Sequence, residues 1–507
     1  MTPPVPGGSA GGTGPSAQGS PASGQSPAGA GQPASGQTDP GRLPPTRRGT
    51  ELFMLAFAAL LVTSAFVLVE ANQEQTLTWA IVWYGLSYLA VFTAAHLAVR
   101  RWAPYADPVI LPCVALLNGI GLVMIYRIDL AQTEKFAGTD TPWVDAAPRQ
   151  LMWAAIALAL FLGAMYWVSD HRTLSRYTYT FGLIGLIALA LPGALPSAIS
   201  EVNGSKVWLR LGPLSIQPGE FAKILLMIFF AGFLVSKRDL FTTAGRKIVG
   251  MELPRARDLG PVLAAWAVSV GVLVLEKDLG NSLLFFGMVL VMLYMATERV
   301  AWVVVGLTLF VAGCLIAYNV FSHVESRVHA WLDPFADYDA GGFQIAQALF
   351  AFGTGGVGGT GLGAGRPEML LRQANSDFIT AAIGEELGFV GLAAILMLYM
   401  LVALRGMRSA LAVRDTFGKL LGAGLSFSLV LQVFVVVGGV TTLIPLTGIT
   451  APFLSAGGSS MMANYILVAL LLRISDAARR PQQQARPRPQ QQAPLSDAHT
   501  VMVERPQ

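Results

Sequence analysis

The chain has 507 residues, 53% of them hydrophobic and only 13% charged, with a formal net charge of +4. Soluble domains carry roughly 25% charged residues, so a mean hydropathy of +0.56 excludes a soluble enzyme and predicts a polytopic membrane protein. Nor does the basic balance point to nucleic acid, because no basic patch is interleaved with aromatic residues in a soluble segment.

Residues 1–49 are rich in Gly, Pro, Ser, Ala and Gln, and Asp39 is the only charged side chain before Arg42. Nothing here can build a core, which predicts a disordered tail; a signal peptide's basic start and apolar run are missing. Runs long enough to span a bilayer as helices then follow at about 51–71, 77–99, 108–126, 150–168, 178–198, 219–236, 260–276, 279–297, 300–321, 378–403, 418–440 and 460–474. The fold class is therefore all-α, a membrane bundle of about twelve helices. Cys113 and Cys314 fall inside apolar runs and read as small core hydrophobes rather than as a disulfide or metal ligands. The first two spans form a pair at 50–106, the membrane core runs over 107–475, and residues 476–507 return to Gln, Pro and Arg as a second disordered tail.

Every second connection is basic. Arg42, Arg47 and Arg48 precede the first span, Arg100 and Arg101 follow the second, and Arg405, Arg408 and Arg414 follow the tenth. The positive-inside rule places these connections and both termini in the cytoplasm. The long segment 322–377 then lies outside, as do the loops Asn203–Lys223, Glu276–Gly280 and Pro445–Ser460.

Within that outer segment, Trp331-Leu-Asp-Pro-Phe-Ala-Asp-Tyr-Asp-Ala340 brings three carboxylates together. Asp333 before Pro334 reads as turn chemistry, and Asp339 beside Ala-Gly-Gly as another turn residue. Asp337 has neither explanation and is the leading candidate for acid–base work. Glu220 and Lys223, three apart on a helix start that Pro218 favours, share a face. They form either an ion pair satisfying two interfacial charges or a polar site opening on a cavity. Lys206 and Arg210 could meet phosphate or snorkel to headgroups. Glu276, Lys277 and Asp278 make a compact mixed-charge turn. Glu385 and Glu386 sit inside an apolar run, where two adjacent glutamates need protonation or an arginine from another helix. The glycine series from Gly353 to Gly365 lacks the strand and the Gly-Lys-Ser/Thr of a nucleotide loop, and reads as a flexible or closely packed re-entrant turn.

Taken in order, Asn203–Lys223, Glu276–Gly280, Arg327–Gln344, Ser376–Gly391 and Pro445–Ser460 resemble the SEDS family of integral-membrane glycosyltransferases. The likeness runs from about residue 110 onward. The helix pair at 50–106, extra to that core, and the Thr46-Arg-Arg-Gly-Thr-Glu-Leu start resemble the elongation branch of actinobacterial type. The resemblance implies polymerisation of lipid II into glycan strands on the outer membrane face, with Asp337 as general base toward the acceptor 4-hydroxyl. It further implies that Glu220 and Lys223 line a central cavity. Asp278, Arg327, Gln344, Asp377 and Glu385 occupy other motif positions. Cations must meet the leaving diphosphate, which allows a divalent metal (Mg2+ or Mn2+) beside Lys and Arg, with no organic cofactor. The implied partners are lipid II and nascent glycan, membrane lipids and a class B penicillin-binding protein.

The chain departs from the family pattern at four places: Tyr338 and Lys277 stand where proline is usual, Val207 where arginine is, and Ala456 where tyrosine is. Two other readings remain open at this stage. A lipid II flippase or other transporter should carry essential residues near both faces, and a scaffold for a penicillin-binding protein would not need Asp337.

Overall fold

The computed structural model describes residues 46–73, 79–138, 140, 142–202, 205–212, 214–237, 246–248, 251–253, 267, 271, 278–336 and 338–481. Over these residues the chain is a helix bundle. α1 (Arg48–Asn72) and α2 (Trp79–Trp102) pack on each other, and α1 also lies along α3 (Ile110–Lys135). α4 (Ala147–Trp167) follows, then the short α5 (Arg172–Arg176), α6 (Thr178–Ala194) and α7 (Ser197–Ser200). α8 (Pro218–Ser236) packs on α6, and α9 (Leu279–Thr297) leads into α10 (Val300–Val320) and the interfacial α11 (Ser322–Leu332). α12 (Phe343–Gly355), α13 (Ile379–Ala412), α14 (Thr416–Val440) and α15 (Gly458–Arg479) complete the order. The described strands make three two-stranded antiparallel hairpins, at 201–206, 209–216 and 246–253.

Eleven of the twelve predicted spans coincide with helices. The twelfth, 260–276, lies outside the described residues except at positions 267 and 271. Among the described residues ten helices are long and apolar enough to cross a membrane, which makes this a multi-pass membrane protein. α6 stops short at 17 residues because Pro192 sits in its last turn and Pro196 follows. α3 and α15 have 83% of their apolar stretch buried by neighbouring helices, against 6% for α10. The first two are therefore the centre of the bundle, and α10 is its periphery. Cys113 is buried on α3, but Cys314 is exposed on α10, so only the first is a core residue; both are free.

The two ends of the bundle are built differently. At one end, Arg48 on α1 donates to the carbonyls of Pro104 and Ala106, while Arg473 on α15 donates to those of Trp102 and Met165. Arg479 pairs with Asp107 there as well. The start of α1 and the end of α15 therefore share one membrane face. At the opposite end, Asp129 on α3 accepts from the Ala146 and Ala147 amides at 2.8 and 2.7 Å, which fixes the α3–α4 turn. Gln150, one turn further, reaches the Ser455 carbonyl at 3.1 Å.

Candidate functional site

Charged side chains from three helices and one loop meet at the end of the bundle opposite the start of α1 and the end of α15. Glu220 lies in the first turn of α8, opened by Pro218, whose missing N–H costs nothing at that position. Lys223, one turn on, donates to Glu220 Oε2 at 2.9 Å and to Gln432 Oε1 of α14 at 2.8 Å. The shared face predicted from the three-residue spacing is thus realised as an ion pair with both side chains 3% exposed. Gln432 is itself fully buried, and its amide donates to the Thr450 carbonyl at 3.0 Å. One glutamine therefore ties the pair to the loop between α14 and α15, and just before α8 the backbone N–H of Gln217 reaches Ser459 Oγ in the first turn of α15 at 2.8 Å.

Asp278 caps α9, accepting from the Asn281 amide at 3.1 Å and from its Nδ2 at 2.7 Å. Burial pushes its carboxyl above the ordinary aspartate value and Glu220 adds to that, while the Asn281 bonds and Arg327 act the other way. Arg327 projects from α11 and donates to the Leu446 and Thr447 carbonyls at 3.4 and 3.3 Å. Burial draws its guanidinium down, opposed by the charges of Asp278 and Asp377. Asp377, half-buried in the turn before α13, is raised by burial against a bond from Ser376 and the field of Arg327. Its Oδ2 lies 3.7 Å from where a side chain on Gly448 would begin, so the α14–α15 loop covers it closely. Ser455 Oγ donates to the Ser376 carbonyl at 2.6 Å and the Ala456 amide to the Asn375 carbonyl at 2.7 Å, which fixes the two loops to each other.

Asp337 lies outside the described residues, but both flanks of its loop are defined. Asp333 accepts from the Phe335 and Ala336 amides at 3.1 and 3.0 Å, the turn role read from its place before Pro334. Asp339 follows in a single π-helical turn, Tyr338–Gly342. A Cβ on Gly342 would collide with the Pro334 carbonyl, so the loop closes on itself there and only glycine fits. Tyr338, in the place of the family's usual proline, is held by Gln347 Nε2 donating to its hydroxyl at 2.9 Å and by its ring against Phe343. α11 thus carries Arg327 into the cleft and ends directly before the acidic loop.

The structure brings Glu220, Lys223, Asp278, Arg327 and Asp377 together. Four other candidates stand apart. Lys206 is partly exposed on one hairpin, paired across from Glu201, and Arg210 is exposed on the next, across from Ser215. Gln344 bonds Gln373 at 2.8 Å and so braces the turn leading to Asp377. Glu385 is on α13 beneath the glycine-rich turn, where Arg366 contributes a backbone bond to it. Its neighbour Glu386 takes the arginine expected from another helix, Arg127 of α3, at 3.0 Å, and also the Gly363 amide at 3.0 Å. Arg127 reaches the Gly365 carbonyl at 2.8 Å as well. The glycine series is thus a packed turn: Thr360 and Gly361 amides bond the Glu385 and Glu386 carbonyls, and α13 breaks at Gly388, φ 68°. Gln432 and Asn281 went unremarked in the sequence. The available signal for Gln432 was a lone amide within an apolar span, where a polar group needs partners.

Among the described residues no three His, Cys, Asp or Glu side chains gather closely enough to hold a metal. A Mg2+ or Mn2+ here would need phosphate oxygens to complete its shell, as Mg2+ commonly does beside one or two carboxylates.

The FtsW/RodA/SpoVE family model, described as cell cycle protein, matches residues 107–480. Peptidoglycan glycosyltransferase RodA of Mycobacterium tuberculosis is 56% identical over 461 residues, covering 91% of this chain and 97% of that protein. Stage V sporulation protein E of Bacillus subtilis is 35% identical, covering 72% of this chain and 95% of its own length. A chain solved in work on the structural coordination of polymerization and crosslinking by a peptidoglycan synthase complex superposes with a TM-score of 0.57 at 27% identity, over 74% of this chain and 98% of that one. The matched stretch begins after α2 and spans every element that builds the cleft, and on that ground the chain belongs to the FtsW/RodA/SpoVE family.

Proposed function

We propose that this protein is a peptidoglycan glycosyltransferase that polymerises lipid II during cell elongation, at the outer face of the cytoplasmic membrane, with both termini in the cytoplasm. The observation that carries the reading is the placement of Arg327. It sits between Asp278 and Asp377 in one cleft, on the helix that ends at the loop bearing Asp337. Asp337 takes the proton of the acceptor 4-hydroxyl as that oxygen bonds to the donor's anomeric carbon. The bond from that carbon to the diphosphate breaks, and the lipid diphosphate leaves with the electron pair. Lys223 and Arg327 supply positive charge toward the leaving group, with Glu220, Asp278 and Asp377 holding those cations in place. A divalent metal, if bound, would add positive charge at the same diphosphate, and Asp278 and Asp377 are the carboxylates that would hold it. The exposed apolar surface of the bundle admits the lipid tails laterally. A class B penicillin-binding protein is the proposed partner, in keeping with the synthase complex whose chain superposes on this one.

Glycan polymerisation from purified lipid II tests the assignment, comparing wild type with Asp337→Asn, each co-purified with its transpeptidase. Polymer from wild type alone supports the base at Asp337. Equal polymer from both removes it from that role, and polymer from neither turns attention to lipid II flipping.

A further inference from the structure

At the end of the bundle where α1 begins and α15 ends, α1 and α2 flank an open cavity of about 410 Å³ lined by Thr46, Arg48, Gly49, Leu52, His96, Arg100 and Pro104. It precedes residue 107, and so lies outside the stretch matched by the family model. We propose that this cavity binds the phosphate of an anionic phospholipid from the adjoining leaflet.

Of the cations that line the cavity, Arg48 is spent on its own neighbours and Arg100 is not. Arg100, in the last turn of α2, is exposed and has no ion pair among the described residues. His96 is buried and bonds Glu51 Oε1 through Nδ1 at 2.7 Å, so its second ring nitrogen is the one left to face the cavity. No side chain caps the start of α1, and Thr46, Arg48 and Gly49 at that start line the cavity. The one nearby carboxylate does not oppose an anion, since Glu51 is fully buried and already engaged by both Arg48 and His96. Arg48 in turn holds the Pro104 and Ala106 carbonyls, which makes the cavity a preformed one.

The lipid, rather than a soluble phosphate, is indicated by what adjoins the cations. Leu52 in the wall leads directly to Phe53 and Phe57 on α1, 73% and 55% exposed on a membrane helix. A headgroup phosphate at Arg100 therefore has a path for its acyl chains along α1. Basic pockets between helices at the cytoplasmic side bind anionic headgroups by this arrangement, and the volume falls within the range of ligand pockets.

Native mass spectrometry of the delipidated full chain, titrated with phosphatidylglycerol, phosphatidylcholine or glycerol 1-phosphate, reads binding without reference to glycan synthesis. We expect phosphatidylglycerol to be retained and phosphatidylcholine not. Losing one charge-assisted bond predicts that Arg100→Ala weakens retention about tenfold or more. Arg100→Lys should restore part of it. Arg101→Ala, the exposed neighbour outside the cavity, should bind like wild type. Equal retention of phosphatidylcholine, wild-type binding by Arg100→Ala, an equal loss in Arg101→Ala, or binding of glycerol 1-phosphate alone would each overturn the proposal.

Discussion

Replacing Lys223 by methionine keeps the length of the side chain and removes its ammonium. Glu220 Oε2 and Gln432 Oε1, at 2.9 and 2.8 Å, then lose their donor. At 2.9 Å and an effective dielectric near 20, the attraction is about 6 kcal/mol before desolvation is counted. With both side chains 3% exposed, a bare Glu220 gains little from water, and the single variant should cost about 3–5 kcal/mol. Glu220→Gln strands the lysine and should cost a similar amount. The double variant Glu220→Gln/Lys223→Met buries no charge, so its stability should return to within about 1 kcal/mol of wild type. Activity should not return with it, because the cleft has lost a cation for the diphosphate. Stability is read from unfolding titrations in mixed micelles and activity from glycan polymerisation, each on all four proteins. A stable double variant that polymerises at the wild-type rate would refute the functional reading and leave the pair a structural one. A double variant as unstable as the singles would refute the energetics.

Three further outcomes are expected. Gly342→Ala places a methyl against the Pro334 carbonyl; opening that loop should cost about 1–3 kcal/mol of local strain and lower polymerisation more than tenfold, while circular dichroism shows the bundle intact. Asp278 and Asp377 are raised by burial, so both take up protons above the ordinary 3.8 as pH falls. A raised carboxylate costs stability when charged, so acidification through that window should lower polymerisation while slightly raising resistance to unfolding. Asp415 is the opposite case. Burial pushes it up, but bonds from His171, the Gly418 amide and Arg172 outweigh this and hold it well below 3.8. Its contribution is therefore present above that value and lost only below it, and Asp415→Asn should cost about 1–2 kcal/mol at neutral pH, read from unfolding midpoints.

The spans were legible because a bilayer demands about twenty apolar residues, a pattern no soluble helix needs to keep. Their ends were less so. α13 was expected to stop at 403 and runs to Ala412, and α3 was expected to stop at 126 and runs to Lys135. Hydropathy reports the lipid's thickness, whereas arginine and lysine continue a helix into water readily. The segment 322–377 showed only as a break between spans, yet it holds α11 and α12, too short or too polar to register as spans. Asp333 was legible as a turn because its chemistry is local. The Arg127–Glu386 pair joins residues 259 apart in sequence, and no local pattern names such a partner. The same holds for Gln432, whose importance is visible only once α8 and α14 lie side by side.

The distribution of paired charge bears on the choice between enzyme and transporter. At the end where α1 begins and α15 ends, Asp107, Asp476 and Asp415 are spent on direct partners. Asp107 has Arg479 and Arg405, Asp476 has Arg480 at 2.8 Å and the Tyr105 amide at 2.8 Å, and Asp415 has His171 at 2.9 Å and Arg172 at 3.2 Å. These contacts fasten helix ends together, and none of them reaches across the bundle toward Asp278, Arg327 and Asp377. At the other end Asp278, Arg327 and Asp377 feel one another's fields but form no direct ion pair among the described residues, and Arg327 spends its hydrogen bonds on carbonyls alone. Holding such groups half-buried and unpaired is costly, and the cost is offset if a charged substrate completes the set. A carrier that passed a diphosphate through the bundle would need comparable unspent charge along α8 and α14 toward the opposite face. There those helices present no charged side chain from Ile224 to Leu234 or from Leu420 to Leu429, where Ser426 and Ser428 are the polar side chains. The unspent charge of this cleft is arranged for chemistry at one surface, while the ion pairs of the other end fasten helices to one another.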